Sequence, residues 1–164
     1  MDYIYHYHSP IGAITLASDG EALTGLWFAG QKHFPHKLIS ESIETELPIF
    51  TQTIKWLDTY FGGKAPDFTP YISLNTTPFR KAVYEILLTI PYGQVMTYGE
   101  IANIIAEQKG IECMSAQAVG GAVGHNPISI IVPCHRVVGA DGSLTGYAGG
   151  LDRKIMLLKL EKAL

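Results

Sequence analysis

Thr97-Tyr98-Gly99-Glu100-Ile101-Ala102 and, one loop later, Ser115-Ala116-Gln117-Ala118-Val119-Gly120-Gly121-Ala122-Val123-Gly124 decide how this chain is read. Each opens on a hydroxyl residue able to accept the first unsatisfied N–H groups of a helix. In the first, Glu100 follows Thr97 by three residues and completes a capping box, so a helix is expected over 98–108. In the second, Ser115 caps a helix over 116–124, which Asn126-Pro127 stops. Two short helices joined by a loop have the size of a helix-turn-helix. The second carries a cost, because an interior glycine loses ~1 kcal/mol against alanine and Gly120 and Gly121 stand together. Two compensations are open: tight packing on a neighbouring helix, or close approach to a bulky partner such as a DNA backbone.

Upstream the pattern changes. Residues 3–7, 13–17 and 23–28 are rich in β-branched and aromatic side chains, separated by Ser9-Pro10-Ile11-Gly12 and Ser18-Asp19-Gly20. Those separators are turn chemistry, and a three-stranded antiparallel meander is the natural reading. Phe50, Ile54, Leu57 and Phe61 line one face of a helix expected over 48–61, ended by Gly62-Gly63. Residues 64–77 read as a proline-containing linker. Thr77 caps and Pro78 opens another helix, whose Phe79, Val83, Ile86, Leu87 and Ile90 recur at helical spacing up to Pro91-Tyr92-Gly93. Two domains follow: 1–75, a β-sheet with one helix and a linker, and 76–164, which holds the helix pair.

Downstream, Val132-Pro133-Cys134-His135-Arg136-Val137-Val138-Gly139 sets a thiol beside an imidazole between apolar residues. A thiol reacts as its thiolate, and a histidine or water relay is the usual way to form one at neutral pH. A cysteine in apolar company also reads as a buried small hydrophobe. The apolar, β-branched run 128–132 before it reads as a strand, Asp141-Gly142 as a turn and 152–160 as a last helix.

Composition narrows the class. The 164 residues suffice for one medium domain or two small ones, and apolar and charged fractions of 47% and 16% are ordinary for a soluble globular protein. No run approaches the ~18 apolar residues of a membrane span, so no membrane partner is expected. Met1-Asp2-Tyr3-Ile4-Tyr5-His6 lacks the basic start and apolar core of a secretion signal. Two cysteines, Cys113 and Cys134, are too few for a disulfide framework and fit a reducing, cytoplasmic setting. The net charge of −3 is uneven: residues 1–75 hold four Lys/Arg against eight Asp/Glu, and residues 76–164 hold eight against seven. An anion-binding surface therefore belongs to the second half. Cys113, His125, Cys134 and His135 meet no zinc-ligand spacing, and His6, His8, His33 and His36 read as surface residues, so no metal is expected.

Together, Tyr98-Gly99-Glu100-Ile101-Ala102, Ala118-Val119-Gly120-Gly121-Ala122, Asn126-Pro127, Ile131-Val132-Pro133-Cys134-His135-Arg136-Val137 and Gly146-Tyr147-Ala148-Gly149-Gly150-Leu151 resemble the O6-alkylguanine-DNA alkyltransferases, also called methylated-DNA–protein-cysteine methyltransferases. The likeness is close in the C-terminal half and one of pattern in the N-terminal half. It implies an α+β fold, with a small ribonuclease-H-like antiparallel β-sheet N-domain packed on a mainly helical, helix-turn-helix (winged-helix-like) C-domain. It implies direct-reversal DNA repair without a cofactor: irreversible, single-turnover transfer of an alkyl group from O6-alkylguanine, or O4-alkylthymine, to Cys134. The implied partner is double-stranded DNA containing alkylated bases, entered from the minor groove, and a monomer is the default state.

The resemblance also implies residue roles. Cys134 is the nucleophile, His135 generates its thiolate through a water, Glu161 orients that imidazole, and Asn126 holds the turn after the recognition helix. Ser115, Ala116, Gln117, Ala118, Gly120 and Gly121 face DNA, where a narrow groove admits small residues. Tyr98 crowds the 3′ phosphate and promotes rotation of the nucleotide out of the stack. Val137, Val138, Tyr147, Ala148 and Gly149 form the pocket that takes the base. Two positions depart from the family pattern. Gln117 stands where most members carry an arginine that fills the gap left by the base, and Ala148 stands where some carry serine. Three rival readings remain: a lesion sensor without transfer, which characteristically lacks the cysteine, a Cys–His hydrolase, and a plain helix-turn-helix regulator.

Overall fold

The computed structural model describes residues 1–164 as two units. The first comprises Met1–Asn75 with Pro127–Ser129, and the second Thr76–Asn126 with Ile130–Leu164.

In the first unit, β1 (Tyr3–Ser9), β2 (Gly12–Ser18) and β3 (Leu23–Phe28) form the expected antiparallel meander. Ser9 closes its first turn by donating Oγ–H to the Gly12 carbonyl at 2.6 Å, and the Asp19 carboxylate closes the second by accepting the N–H groups of Glu21 and Ala22. Strand alternation sorts the faces. Tyr5 and Tyr7 stack on Phe50 and Phe61 of α2 (Pro48–Phe61), whereas Ile4 joins Ala17 and Trp27 in a cluster covered by Phe34, Leu38 and Ile39. The central strand β2 is accordingly buried from Ile14 to Ser18.

Leu38 and Ile39 belong to a short helix, α1 (His36–Glu41), which leads into β4 (Ile43–Glu44). β4 pairs in parallel with β1, giving the sheet order β3-β2-β1-β4. Neither element is signalled by the sequence. α1 has no capping side chain and no buried residue, and β4 is two exposed residues. The stretch 64–77 is more than a linker, since Leu23 donates its N–H to Tyr71 and accepts that of Ser73. Leu26 does the same with Pro127 and Ser129, so β3 does not end the sheet as a bare edge.

The run 128–132 is a correction to the expectation of a strand. It makes one bridge, Ile128 to Leu26, and then turns. Ile130 takes φ 70, a left-handed conformation that costs a β-branched residue energy.

The second unit is helical. α3 (Pro78–Leu87) starts at Thr77, whose hydroxyl accepts the Arg80 N–H. α4 (Tyr98–Lys109) starts at Thr97, whose hydroxyl accepts the Glu100 N–H at 3.0 Å and donates to the Glu100 carboxylate at 3.2 Å. It ends at Lys109, one residue beyond the expected span, with Gly110 at φ 65 as its cap. α5 (Ala116–Gly124) starts at Ser115, which accepts the N–H groups of Gln117 and Ala118. These three helices pack on one another, and Val83, Leu87, Ile101, Ile105, Val119 and Ala122 are among the residues they bury. Two short strands, β5 (Met96–Thr97) and β6 (Val137–Val138), pair in parallel and fasten the start of α4 to the segment after Cys134. The chain closes with α6 (Leu151–Leu160).

Candidate active site

Cys134, His135 and Arg136 form one turn of 3₁₀ helix directly after Pro133. In an extended strand, successive side chains would alternate between faces. Here all three are buried, with Cys134 only 2% exposed. Asn126, the residue that follows α5 and its cap, reaches the turn. Its Nδ2 donates to the Val132 carbonyl at 2.8 Å, and its side chain also bonds the Cys134 thiol. Burial pushes that thiol up to about 11, a rise that the Asn126 bond and the Lys154 charge only partly offset. The resting group is a thiol.

His135 Nε2 lies 2.6 Å from Glu161 Oε2. Glu161 is the C-terminal cap of α6 and is 3% exposed. It gathers further donors: Arg136 Nε on Oε1 at 2.8 Å, Arg136 Nη2 on Oε2 at 3.2 Å, and the Gly93 N–H on Oε1 at 3.0 Å. Burial alone would raise this carboxyl. The His135, Arg136 and Gly93 bonds outweigh burial and hold it down at about 2. An ionised carboxylate facing Nε2 requires a proton on that nitrogen, which makes Nδ1 the basic nitrogen of the ring. Burial, aided by the Arg136 and Lys154 charges, keeps the imidazole neutral by lowering its pKa against the pull of Glu161.

Arg136 is anchored at its other end by Nη1, which donates to the Ile90 carbonyl at 2.7 Å. Gly93 sits in the turn after α3 at φ +82, where a Cβ would lie 3.1 Å from the Glu161 carbonyl oxygen. Conformation and space both require glycine there. Lys154 is fully buried, and its Nζ donates to the carbonyls of Val137 at 2.6 Å, Thr145 at 2.8 Å and Gly146 at 3.4 Å. Burial lowers its pKa to about 8.

The other face of the unit is built on α5. Val119, Ala122 and Val123 face inward, and Tyr84 of α3 donates its hydroxyl to the Ala122 carbonyl at 2.8 Å. Ala116, Gln117, Ala118 and Gly121 face outward, beside the exposed cap Ser115. A Cβ on Gly120 would meet the Tyr98 ring at an ordinary 3.8 Å, and a Cβ on Gly121 or Gly124 would meet nothing. Internal packing therefore does not require these glycines, and the first of the two compensations is excluded. Tyr98, Ala116, Gln117, Gly120 and Gly121, with Thr145 and Gly146, line an open cleft of about 660 Å³.

The structure thus brings Cys134, His135, Glu161 and Asn126 into one bonded cluster, and Tyr98, Gln117, Gly120 and Gly121 into one cleft. Val137 and Val138 are buried in β6. Tyr147 and Ala148 are half-buried and Gly149 is buried in the loop before α6, where the Gly150 N–H returns to the Tyr147 carbonyl. Cys113 stands apart as an exposed thiol between α4 and α5. No group of three or more His, Cys, Asp or Glu is placed to hold a metal, and no helix is long and apolar enough to cross a membrane.

Sequence reading misses Arg136, Gly93 and Lys154. For Lys154 a signal exists: it precedes the buried Leu157 and Leu158 by three and four residues, which puts it on the inward stripe of α6. Arg136 and Gly93 carry no such signal, because Ile90 and Glu161 are distant in sequence.

Comparison with known proteins agrees with both units. Residues 3–75 match the ribonuclease-like domain of 6-O-methylguanine DNA methyltransferases, and residues 78–163 match their DNA-binding domain. The methylated-DNA–protein-cysteine methyltransferase of Mycobacterium tuberculosis is 46% identical over 162 residues, spanning 96% of this chain and 93% of that one. The protein of the same name from Haemophilus influenzae is 40% identical over 161 residues, spanning 98% and 86%. The crystal structure of M. tuberculosis OGT in complex with DNA superposes at TM-score 0.83 with 44% identity, over 98% of this chain and 93% of that chain.

Proposed function

The chain belongs to the 6-O-methylguanine DNA methyltransferase family, and from that premise we propose that it repairs DNA directly, moving one alkyl group from guanine O6 to Cys134. The observation that carries this reading is the buried Cys134 turn, in which the adjacent His135 is locked by Glu161. A hydrolase would need an oxyanion hole and a turnover cycle, and a regulator would have no use for the cluster.

An alkyl group on O6 is stacked inside the duplex, so the nucleotide has to rotate out. The small outward face of α5 suits entry into the minor groove, with Tyr98 beside the displaced phosphate and Gln117 in the vacated space. Tyr147, Ala148 and Gly149 would cover the base, with Val137 and Val138 beneath it. The Cys134 proton leaves through a water to His135 Nδ1, where the Nε2–Glu161 bond stabilises the imidazolium. The sulfur attacks the alkyl carbon, the S–C bond forms as the C–O6 bond breaks, and the electron pair departs on guanine. Guanine then takes a proton and is restored. The thioether does not hydrolyse under mild conditions, so each molecule acts once.

Intact-mass spectrometry after mixing with a duplex carrying one O6-methylguanine tests this. The expected result is a gain of one methylene on the peptide containing Cys134, saturating at one per protein. Lesion-selective binding with no change of mass would point instead to a sensor.

A further inference from the structure

That mechanism leaves Tyr84 without a task. The residue lies on α3, fully buried, and its phenol is pushed up to about 12, chiefly by burial. It is therefore a hydroxyl at any working pH, and a buried hydroxyl needs a partner. The partner is the Ala122 carbonyl of α5, which accepts the Tyr84 O–H at 2.8 Å. The last carbonyls of a helix lack a donor one turn ahead, and at the end of α5 this falls on Ala122. The N–H of Asn126, four residues on, bonds Val123 at 3.3 Å instead, and from the backbone Ala122 receives the His125 N–H at 3.2 Å. Tyr84 makes the shorter of the two bonds. Asn126 then leaves the helix and reaches the nucleophile's turn, bonding the Val132 carbonyl at 2.8 Å and the Cys134 thiol. The phenol also stands near enough to Cys134 for a charge on the sulfur to act on it.

Resting on the transfer reading, we infer that Tyr84 is a positioning residue for duplex substrates, pinning the end of α5 against the Cys134 turn. A duplex seated on the outward face of α5 takes its frame from that helix, whereas the sulfur takes its frame from Asn126 and the turn after Pro133. One hydroxyl joins the two frames, so that a base turned out of the duplex arrives in line with the sulfur. Phenylalanine would fill the same space and keep α3 packed on α5. It would leave the Ala122 carbonyl to the backbone bond alone and let the end of the helix shift by tenths of an ångström.

The test uses the full chain in a Cys113→Ser background, so that Cys134 is the one thiol, with Tyr84→Phe and with 4-aminophenylalanine at position 84, whose amine donates from the place of the hydroxyl. Two reactions of Cys134 are timed: transfer from a saturating O6-methylguanine duplex, and alkylation by iodoacetamide, which needs no DNA. In Tyr84→Phe the duplex rate is expected to fall about tenfold, as for a small misplacement of reacting groups. The iodoacetamide rate and the affinity for the lesion duplex should each stay within about twofold. The amine should restore the duplex rate, which filling the space alone would not do. A parental duplex rate in Tyr84→Phe overturns the assignment, as does an equal change in both reactions, which would mean that the sulfur itself is disturbed, or a failure of the amine to restore. If the parental protein binds the lesion and never transfers, the transfer reading itself fails before any variant is compared, and the role of Tyr84 falls with it.

Discussion

Arg136 and Glu161 meet through two nearly parallel hydrogen bonds, Nε to Oε1 at 2.8 Å and Nη2 to Oε2 at 3.2 Å, and both side chains are buried. The carboxylate that steadies His135 is therefore itself held in one plane and kept ionised. Arg136 reaches the ring in two ways, by its charge, which helps to lower the His135 pKa, and through the Glu161 carboxylate that both side chains share. A lysine in its place would offer a point charge and lose the fork.

Glu161→Gln should expose both roles. The amide can present N–H or C=O to His135, so the proton on Nε2 is no longer dictated. The transfer rate is expected to fall between about 10²- and 10⁴-fold, the range for a displaced general base. Arg136 is left without its anion, which costs about 3–5 kcal/mol. Single-turnover kinetics and urea denaturation read the two effects separately, and a variant as stable as the parent would remove the structural half.

Acid should destabilise the protein through the same carboxyl. Glu161 is held at about 2 against an ordinary 4.5, so the unfolded chain binds the proton first as pH falls. Its contribution is complete above about pH 4.5 and drains away towards pH 2. His135, lowered by burial, acts in the same direction at a higher pH, since the unfolded imidazole protonates before the folded one. Urea midpoints measured from pH 7 to pH 3 should fall steadily, and the slope below pH 4.5 should be shallower in Glu161→Gln.

Gly121→Ala should move stability and binding in opposite directions. The added methyl meets nothing within the protein and removes a helix-interior glycine, so stability is expected to rise by ~1 kcal/mol. The same methyl would stand on the outward face of α5, which the proposed function sets against DNA. Fluorescence anisotropy with a lesion duplex should report weaker binding, and unchanged affinity would separate α5 from the DNA contact.

Gln117→Arg should bind duplex DNA more tightly and repair it faster. Gln117 is exposed at the cleft, where a guanidinium would add charge and a rigid plane to stack in the vacated space. Equal rates for the two proteins on an O6-methylguanine duplex would count against this.

The helices of the second unit were legible because their signals are local. Thr77, Thr97 and Ser115 each satisfy N–H groups two or three residues ahead, and no distant partner is needed. The run 128–132 misleads for the opposite reason. Its β-branched residues favour a strand, but only Ile128 finds a partner, and the chain turns at Ile130. Asn126, Cys134, His135 and Glu161 are readable as a set only through resemblance, since nothing local links position 135 to position 161. Arg136 and Lys154 escape even that, because a charged side chain in a sequence looks solvated until the fold encloses it.

The depth of Cys134 has one more consequence. On the transfer reading each copy acts once and must not be spent on small electrophiles. A thiol held protonated and out of the solvent is a poor target for them, whereas the other cysteine, Cys113, is exposed. Alkyl groups then reach the sulfur chiefly when carried there on a base that the pocket accepts. On that reading burial, which makes Cys134 sluggish as a general nucleophile, reserves each copy of the protein for alkylated DNA.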